Sequence, residues 1–209
     1  YCNPEDTRPL SVTNADNRIM ANAVRYVIEP IMEEWISAEQ RGFLPGRSML
    51  ANVLDIEEAM MHASLSESNG VAIFFDFKAA FPSVQHAFLM DTLAHIGLPQ
   101  PIMNYIRALY TCNNCDIMMG GQRHPGFEIS AGIRQGCPLS PLLFAIAADL
   151  LLRRLRRLLP SIYVRAYADD LALVLKEGRQ SFQALARLFE EYAILSGLHL
   201  NISKTIIVP

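Results

Sequence analysis

Apolar residues recur along the chain with two different periods, and these periods predict its helices and strands. Helical spacing is found in several segments separated by Gly, Pro and Asn clusters. Asn14 is a candidate N-cap for the first helix and Ser83 for the third, which Gly97 would end. The predicted helices span residues 14–36, 49–63, 83–96, 100–111, 139–159 and 181–196.

Strand-like runs occupy the spaces between these helices. "VAIFFDF" (71–77) is continuously apolar and fits a strand buried on both faces, although it contains Asp76. "YVRAYADDLALVL" (163–175) holds Asp169 and Asp170 between apolar runs, "CDIMMGGQRHPGFEIS" (115–130) suggests a hairpin that turns at Gly120, and "KTIIVP" (204–209) is a final strand.

The order of elements predicts an α+β fold with a split βαβ antiparallel sheet and helices on one face. Right-handed crossovers allow the strand ending at Asp76 to lie beside the hairpin that carries Asp169 and Asp170. The pattern therefore predicts that three carboxylates gather at one end of the sheet.

Such a cluster requires a counter-charge, because burying unpaired carboxylates together is costly and raises their pKa values. Oxygen-only ligands suit Mg²⁺ or Mn²⁺, and two such ions can support phosphoryl transfer. The alternative is ordinary structure, with Asp76 capping a turn and Asp169 and Asp170 forming a polar loop. Either motif alone leaves both interpretations open.

Composition narrows the class of protein only slightly. With 209 residues and 51% hydrophobic side chains the chain is expected to form one compact unit. The net charge of −3 means that local Arg and Lys groups would have to hold any nucleic acid. The lone "CNNC" at 112–115 has too few ligands for zinc.

Features that the sequence lacks predict the setting of the protein. Four cysteines without a disulfide pattern and no signal peptide predict an intracellular protein. The longest apolar run is 12 residues and is broken by Asp149, so no membrane span is predicted. A start at Tyr1 and an end at Pro209 suggest a piece of something larger.

Six ordered motifs resemble those of reverse transcriptases, in particular the non-LTR (LINE-type) retrotransposon and group II intron-related family. Two lie upstream and are similar to the family's finger motifs, and four follow in its order and spacing. They are "RPLSVTNADNRIMANAV" (8–24), "QRGFLPGRSMLAN" (40–52), "FFDFKAAFPSV" (74–84), "GIRQGCPLSPLLF" (132–144), "YADD" (167–170) and "GLHLNISKT" (197–205).

The resemblance implies a role for particular residues. Asp76 and Asp169 would bind two Mg²⁺ or Mn²⁺ ions, with Asp170 beside them as a marginal ligand. Phe81 would exclude the 2′-hydroxyl of a ribonucleotide, although plain core packing is the alternative. The other implied roles are incoming-nucleotide contact for Gln135 and Gly136, triphosphate or template contact for Arg8 and Arg18, and proton donation to pyrophosphate for Lys204.

Two basic features have weaker implications. Arg47 would touch template backbone or be a solvated loop residue, and "RRLRR" (153–157) is better explained as solvated charge at a helix end than as a phosphate site.

The implied protein is the fingers and palm of a right-hand polymerase without a thumb. Fingers would span about 1–70 with an insertion near 112–138, and palm about 71–111 and 139–209. It would extend a DNA primer on an RNA template with dNTPs, as part of a retrotransposon polyprotein acting in the nucleus. The alternatives are an RNA-dependent RNA polymerase and an inactive module that only binds RNA or protein.

Overall fold

The computed structural model describes residues 13–66, 69–176 and 178–209 of the chain. Its helices follow the predicted segments closely, with most ends within a few residues of the predicted ones. They are α1 (Ala15–Trp35), α2 (Met49–Leu65), α3 (Ala80–Ser83), α4 (His86–Ile96), α5 (Gln100–Tyr110), α6 (Ser140–Leu158) and α7 (Gly178–Ser196), with a 3₁₀ turn at Ile202–Lys204.

The predicted strands form a four-stranded antiparallel sheet and a separate hairpin. In the sheet the order is β4-β5-β1-β6, and in the hairpin β2 pairs with β3. The strands are β1 (Val71–Phe75), β2 (Asn114–Met119), β3 (Gln122–Glu128), β4 (Tyr163–Tyr167), β5 (Asp170–Leu175) and β6 (Ile206–Val208). The expected pairing of the first strand with the later hairpin is therefore confirmed.

The two faces of this sheet are covered unequally, because alternate strand residues point to opposite sides. Ile73, Leu171 and Leu173 face the main core, which they share with buried residues of α1 and of α4 to α7. Ala72 and Val174 face the other way and pack against α2. The main helix layer thus lies on one face, as predicted, and α2 covers part of the other.

One predicted boundary is wrong. Ser83 does not cap a helix but ends α3, and α4 begins only at His86. The chain enters α3 through Ala79 at φ 43°, and the Ser83 hydroxyl donates to the Ala79 carbonyl at 2.9 Å. Ser83 thus belongs to the turn before α4, and the N-cap position of α4 is taken by Gln85.

The segment after α1 is fastened to α6 by a buried charge. Asp149 is 0% exposed, and its carboxylate accepts from the Ser37 amide at 3.0 Å and from Arg153 Nε at 2.6 Å. The Arg153 guanidinium also stacks over the Trp35 ring at 4.3 Å. This pairing explains the acid that interrupts the apolar run of α6.

No described helix has both the length and the apolar composition of a membrane-spanning helix.

Candidate active site

Asp169 lies in a tight turn between two neighbouring strands. Tyr167 and Asp170 form the last pair of the β4-β5 ladder, so that Ala168 and Asp169 make the connection. Ala168 has φ 58°, in the left-handed region that a residue with a Cβ rarely adopts. Asp169 is half-buried and Asp170 is exposed. The two acids therefore lie at one open end of the sheet, at the turn between β4 and β5.

Asp76 reaches the same end of the sheet from β1. The ladder pairs Phe75 with Leu171, and one further step places Asp76 opposite Asp170. Both acids follow the alternation that points away from the main core. The structure thus brings together Asp76, Asp169 and Asp170, as the pattern predicted.

Asn201 holds Asp76 in place through two contacts. Its amide N–H donates to the Asp76 carbonyl at 2.7 Å, and its side-chain Nδ2 donates to Asp76 Oδ2 at 3.0 Å. The chain around it pairs with the residues after Asp76, through a bridge between Phe77 and Leu200. The carboxylate is consequently oriented by a neutral donor rather than neutralised.

The three carboxylates carry more negative charge than a nearby cation offsets. The pKa of Asp170 is raised by partial burial and then by the negative charges of Asp169 and Asp76. Lys204 is a nearby cation, with Nζ 4.0 Å from Asp76 Oδ2 and a side chain that is 71% exposed. Such an exposed lysine offsets little of the repulsion.

The donor set fits Mg²⁺ or Mn²⁺ held partly by substrate. Within the described residues, no three His, Cys, Asp or Glu side chains form a ready-made metal cage. Mg²⁺ does not require one, because it is commonly bound by one or two carboxylates and completed by water and phosphate oxygens. Asp76 and Asp169 offer carboxylates of this kind, and Asp170 lies beside them.

Phe81 lies on α3 and belongs to an aromatic stack. The centroid of its ring lies 4.4 Å from that of Phe144, with the two rings nearly parallel. It lies 5.7 Å from the ring centroid of Phe43, which it meets edge-on. The side chain is half-buried, so one part packs on the core while another remains accessible. This position is compatible with both interpretations offered for the residue.

Gln135 and Gly136 belong to a loop that docks against α3. Gly132 donates to the Val84 carbonyl at 2.7 Å, and Ile133 donates to the Phe81 carbonyl at 2.7 Å. Gly136 has φ 85°, a conformation that favours glycine. The start of this loop is therefore bonded to the segment that carries Phe81.

The arginines that were predicted to contact nucleotide or template differ in their positions and bonds. Arg8 lies outside the described residues, and Arg18 is exposed on the first turns of α1. Arg47 is neither solvated nor free for a template, because its guanidinium donates to four backbone carbonyls at the end of α1 and just beyond it. They belong to Glu33, Ile36, Ser37 and Gln40.

Three of the four arginines of "RRLRR" are engaged in ion pairs rather than presented as a phosphate site. Arg153 pairs with Asp149 at 2.6 Å, Arg156 pairs with Glu39 at 2.8 Å, and Arg154 pairs with Glu191. Solvated charge at a helix end, the favoured interpretation, is therefore refined: Arg154 and Arg156 pair with acids outside α6, whereas Arg153 pairs with Asp149 of α6 itself.

Sequence reasoning missed the groups that support the acids. Gln40 and Asn201 both lie inside motifs that were recognised, but neither was assigned a function. The sequence offered no signal of burial for Gln40, which stands between the charged residues Glu39 and Arg41 and is nevertheless 0% exposed. Buried amides are nearly always hydrogen-bonded, and their partners define their role.

Three curated relatives resemble the chain over most of its length. They are the "Transposon TX1 uncharacterized 149 kDa protein" of Xenopus laevis (27% identity, 95% of this chain), the Pol polyprotein from element R2DM of Drosophila melanogaster (28%, 96%) and that from element R2 of Nasonia vitripennis (31%, 87%). The chain spans only 16%, 19% and 18% of these relatives, respectively.

Solved structures show the same fold. A telomerase from Candida tropicalis, solved with a fragment of telomeric RNA, matches 90% of this chain and 33% of its own with a TM-score of 0.70 at 12% identity. The match to a telomerase from Candida albicans has a TM-score of 0.66 and covers 92% of this chain and 34% of the telomerase chain. The right-hand polymerase fold predicted from the resemblance is thereby confirmed. Residues 3–209 match the family described as "Reverse transcriptase (RNA-dependent DNA polymerase)", and the chain belongs to that family.

Proposed function

We propose that this chain carries the catalytic centre that copies RNA into DNA for a retrotransposon polyprotein. The primer 3′-hydroxyl attacks the α-phosphorus of a dNTP, a new P–O bond forms, and pyrophosphate leaves. The observation that carries the proposal is the position of Asp76 opposite the turn that holds Asp169 and Asp170, at the open end of the antiparallel sheet.

The acids have distinct roles in this proposal. Asp76 and Asp169 hold two Mg²⁺ or Mn²⁺ ions, and Asp170 lies beside them as an additional negative group. When bound, such ions activate the attacking oxygen and stabilise the leaving one. Asn201 fixes the direction of the Asp76 carboxylate by its hydrogen bond to Oδ2.

The groups around the acids bind and select the nucleotide. Phe81 excludes a 2′-hydroxyl, and Gln135 and Gly136 lie against the incoming nucleotide and template. Lys204, whose side chain is 71% exposed, donates a proton to the departing pyrophosphate. Arg8 and Arg18 contact the triphosphate or template.

We assign the fingers to residues 1–70 with an insertion at 112–138, and the palm to 71–111 and 139–209. The partners are an RNA template, a DNA primer, dNTPs and the remaining domains of the polyprotein, and the reaction takes place in the nucleus. These assignments rest on the family and on relatives whose names describe retrotransposon Pol proteins.

Primer extension tests this function directly. With an RNA template, dNTPs and Mg²⁺, the protein should extend a DNA primer, and Asp169→Asn should abolish extension without loss of folding. Activity restricted to rNTPs would favour an RNA polymerase instead. Template binding without extension under any nucleotide would favour a binding module.

A further inference from the structure

A buried glutamine from the segment after α1 is hydrogen-bonded to the turn that carries Asp169. Gln40 is 0% exposed and bonds to both backbone groups of Ala168, the residue before the acid. We propose that Gln40 is a positioning residue for Asp169: it holds Ala168 in its left-handed conformation and so fixes where the carboxylate points. This inference rests on the proposed function, in which Asp169 is a metal ligand.

The hydrogen bonds of Gln40 leave it one orientation. Its Oε1 accepts from the Ala168 amide at 3.0 Å and from the Gly42 amide at 2.8 Å, while Nε2 donates to the Ala168 carbonyl at 3.2 Å. Rotating the amide by half a turn would place donor against donor and acceptor against acceptor. The contact is therefore specific to a side-chain amide at this position.

Ala168 needs such a partner because of its backbone. Its φ of 58° is unfavourable for any residue with a Cβ. A conformation of this kind persists only where the surroundings impose it, and it is typically found at functional sites. The side chain of the next residue, Asp169, takes its direction from this backbone. Loss of the clamp should therefore redirect the carboxylate.

The segment that presents Gln40 is itself held tightly to β4. The Ala166 amide donates to the Glu39 carbonyl at 2.8 Å, and the Arg41 amide donates to the Ala166 carbonyl at 2.9 Å. A Cβ added at Gly42 would lie 2.1 Å from the Ala168 nitrogen. The segment thus adds a short parallel partner to the edge strand and packs directly on the turn.

Asn52 provides a matched control. It is another buried amide, 8% exposed, and its Nδ2 donates to the Ala166 carbonyl at 2.9 Å. It thus joins α2 to the same strand but bonds to β4 before the turn. Replacing it should cost stability without redirecting Asp169.

Metal binding by the purified protein separates the two amides. With template, a 3′-deoxy-terminated primer and dNTP present, Mn²⁺ titration followed by electron paramagnetic resonance should show a dissociation constant about tenfold higher for Gln40→Met than for the wild type, as for loss of other groups that orient a ligand. Asn52→Leu should stay within about twofold of the wild type, even where thermal melting shows equal destabilisation. Equal weakening in both variants overturns the inference.

A second substitution tests the cause. Glycine adopts a left-handed φ without a steric penalty, so Ala168→Gly in the Gln40→Met background should recover much of the lost Mn²⁺ affinity. In primer extension, kcat of Gln40→Met should fall about ten- to a hundredfold, with KM for dNTP within about twofold. A double variant no better than Gln40→Met, or a change confined to KM, overturns the inference.

The proposed function fails in a different way. If wild-type protein binds no Mn²⁺ even with primer, template and dNTP present, or if Asp169→Asn binds it as well as the wild type, then Asp169 is not a metal ligand. If both behave as proposed and Gln40→Met alone is unaffected, only the role of Gln40 is refuted. Should Gln40→Met not fold, Gln40→Glu retains the acceptor for both amides and is measured against the same Asn52→Leu control.

Discussion

Asp76 and Asp169 meet at one end of the sheet, but they are supported in opposite ways. Asn201 touches the Asp76 carboxylate itself, at 3.0 Å, from a half-exposed position near the end of the chain. Gln40 instead bonds to the backbone of Ala168, the residue before Asp169, from a fully buried position. One acid is oriented through its side chain and the other through its main chain.

Because of this difference, we expect the two acids to respond to different kinds of substitution. A donor on a carboxylate changes that group's charge distribution and occupies one of its lone pairs, so its loss alters the ligand directly. A clamp on the backbone changes only geometry, and geometry of this kind is transmitted through packing. The Asp169 side should therefore respond more strongly to steric changes, and the Asp76 side to polar ones.

The largest effect is expected from the acids themselves, where the two sides should behave alike. Asp76→Asn and Asp169→Asn should each lower kcat of primer extension by more than about a thousandfold, because each removes a negative ligand that no neighbour replaces. Circular dichroism melting should show that both variants remain folded. Substantial activity in one of them would mean that the pair is not functionally equivalent.

A steric change on the Asp169 side should rank second. In Gly42→Ala the new Cβ would lie 2.1 Å from the Ala168 nitrogen, so the turn must move. Overpacking of this kind costs about 1–3 kcal/mol, and we expect kcat to fall by about a hundredfold.

Gly46→Ala is the control for this glycine. It lies in the same loop at φ 69°, but its Cβ would meet nothing within 4 Å. It should cost about 1 kcal/mol of unfolding free energy from backbone strain while kcat stays near the wild-type value. If both variants lose activity equally, contact with the turn is not the cause.

A polar change on the Asp76 side should come next. Asn201→Ala removes the donor to Oδ2 but keeps the backbone bond to the Asp76 carbonyl at 2.7 Å. Hydrogen bonds to charged groups contribute about 1.5–3 kcal/mol, so activity should fall by about tenfold. Ser203→Ala, which removes a donor to Asn201 Oδ1 at 2.8 Å, should have little effect and serves as control. Activity restored by higher Mg²⁺ would support a ligand effect, whereas an unchanged Asn201→Ala would contradict it.

The smallest effect concerns Asp170 and is one of stability. Its pKa is raised in the folded chain, first by burial and then by Asp169 and Asp76. The folded state therefore binds this proton more tightly than the unfolded state, and stability falls as pH rises through the raised pKa.

Asp170→Asn should remove that penalty. Without divalent ions, the Tm of the variant should exceed the wild-type Tm by a few degrees near neutral pH, and the difference should shrink towards about pH 4. Asp91→Asn, at an exposed acid on α4, is the control for loss of a surface charge. A lower Tm for Asp170→Asn would show that Asp170 has a stabilising partner instead.

The acids could be located from sequence because their signal is local. Asp76 ends a continuous apolar run, and Asp169 and Asp170 interrupt another, so periodicity and topology allow them to meet, and the resemblance to the family's motifs implies their role. Asp149 carried a similar signal, an acid inside an apolar helix, and the structure supplies its Ser37 and Arg153 partners.

The supports could not be located in the same way. Gln40 and Ala168 are 128 residues apart, and their contact depends on how the segment after α1 lies along the edge of β4. Arg47 was misjudged because an arginine in a Gly- and Pro-rich loop resembles a solvated one, whereas its carbonyl partners become visible only when the end of α1 is located. Ser83 was placed wrongly because the turn at Ala79 starts a helix earlier than capping rules suggest.

The long separations of the two supports bear on how the site forms. Gln40 and Ala168 are 128 positions apart, and Asn201 and Asp76 are 125 apart, so both contacts close large loops. Contacts of this range are generally slow to form, since the entropy of loop closure opposes them. Asn201 also leaves the ribosome long after Asp76, so a nascent chain contains the acids before it contains the residue that orients one of them. Competence for metal binding should therefore be acquired late, as a property of the completed fold rather than of the strands that carry the acids.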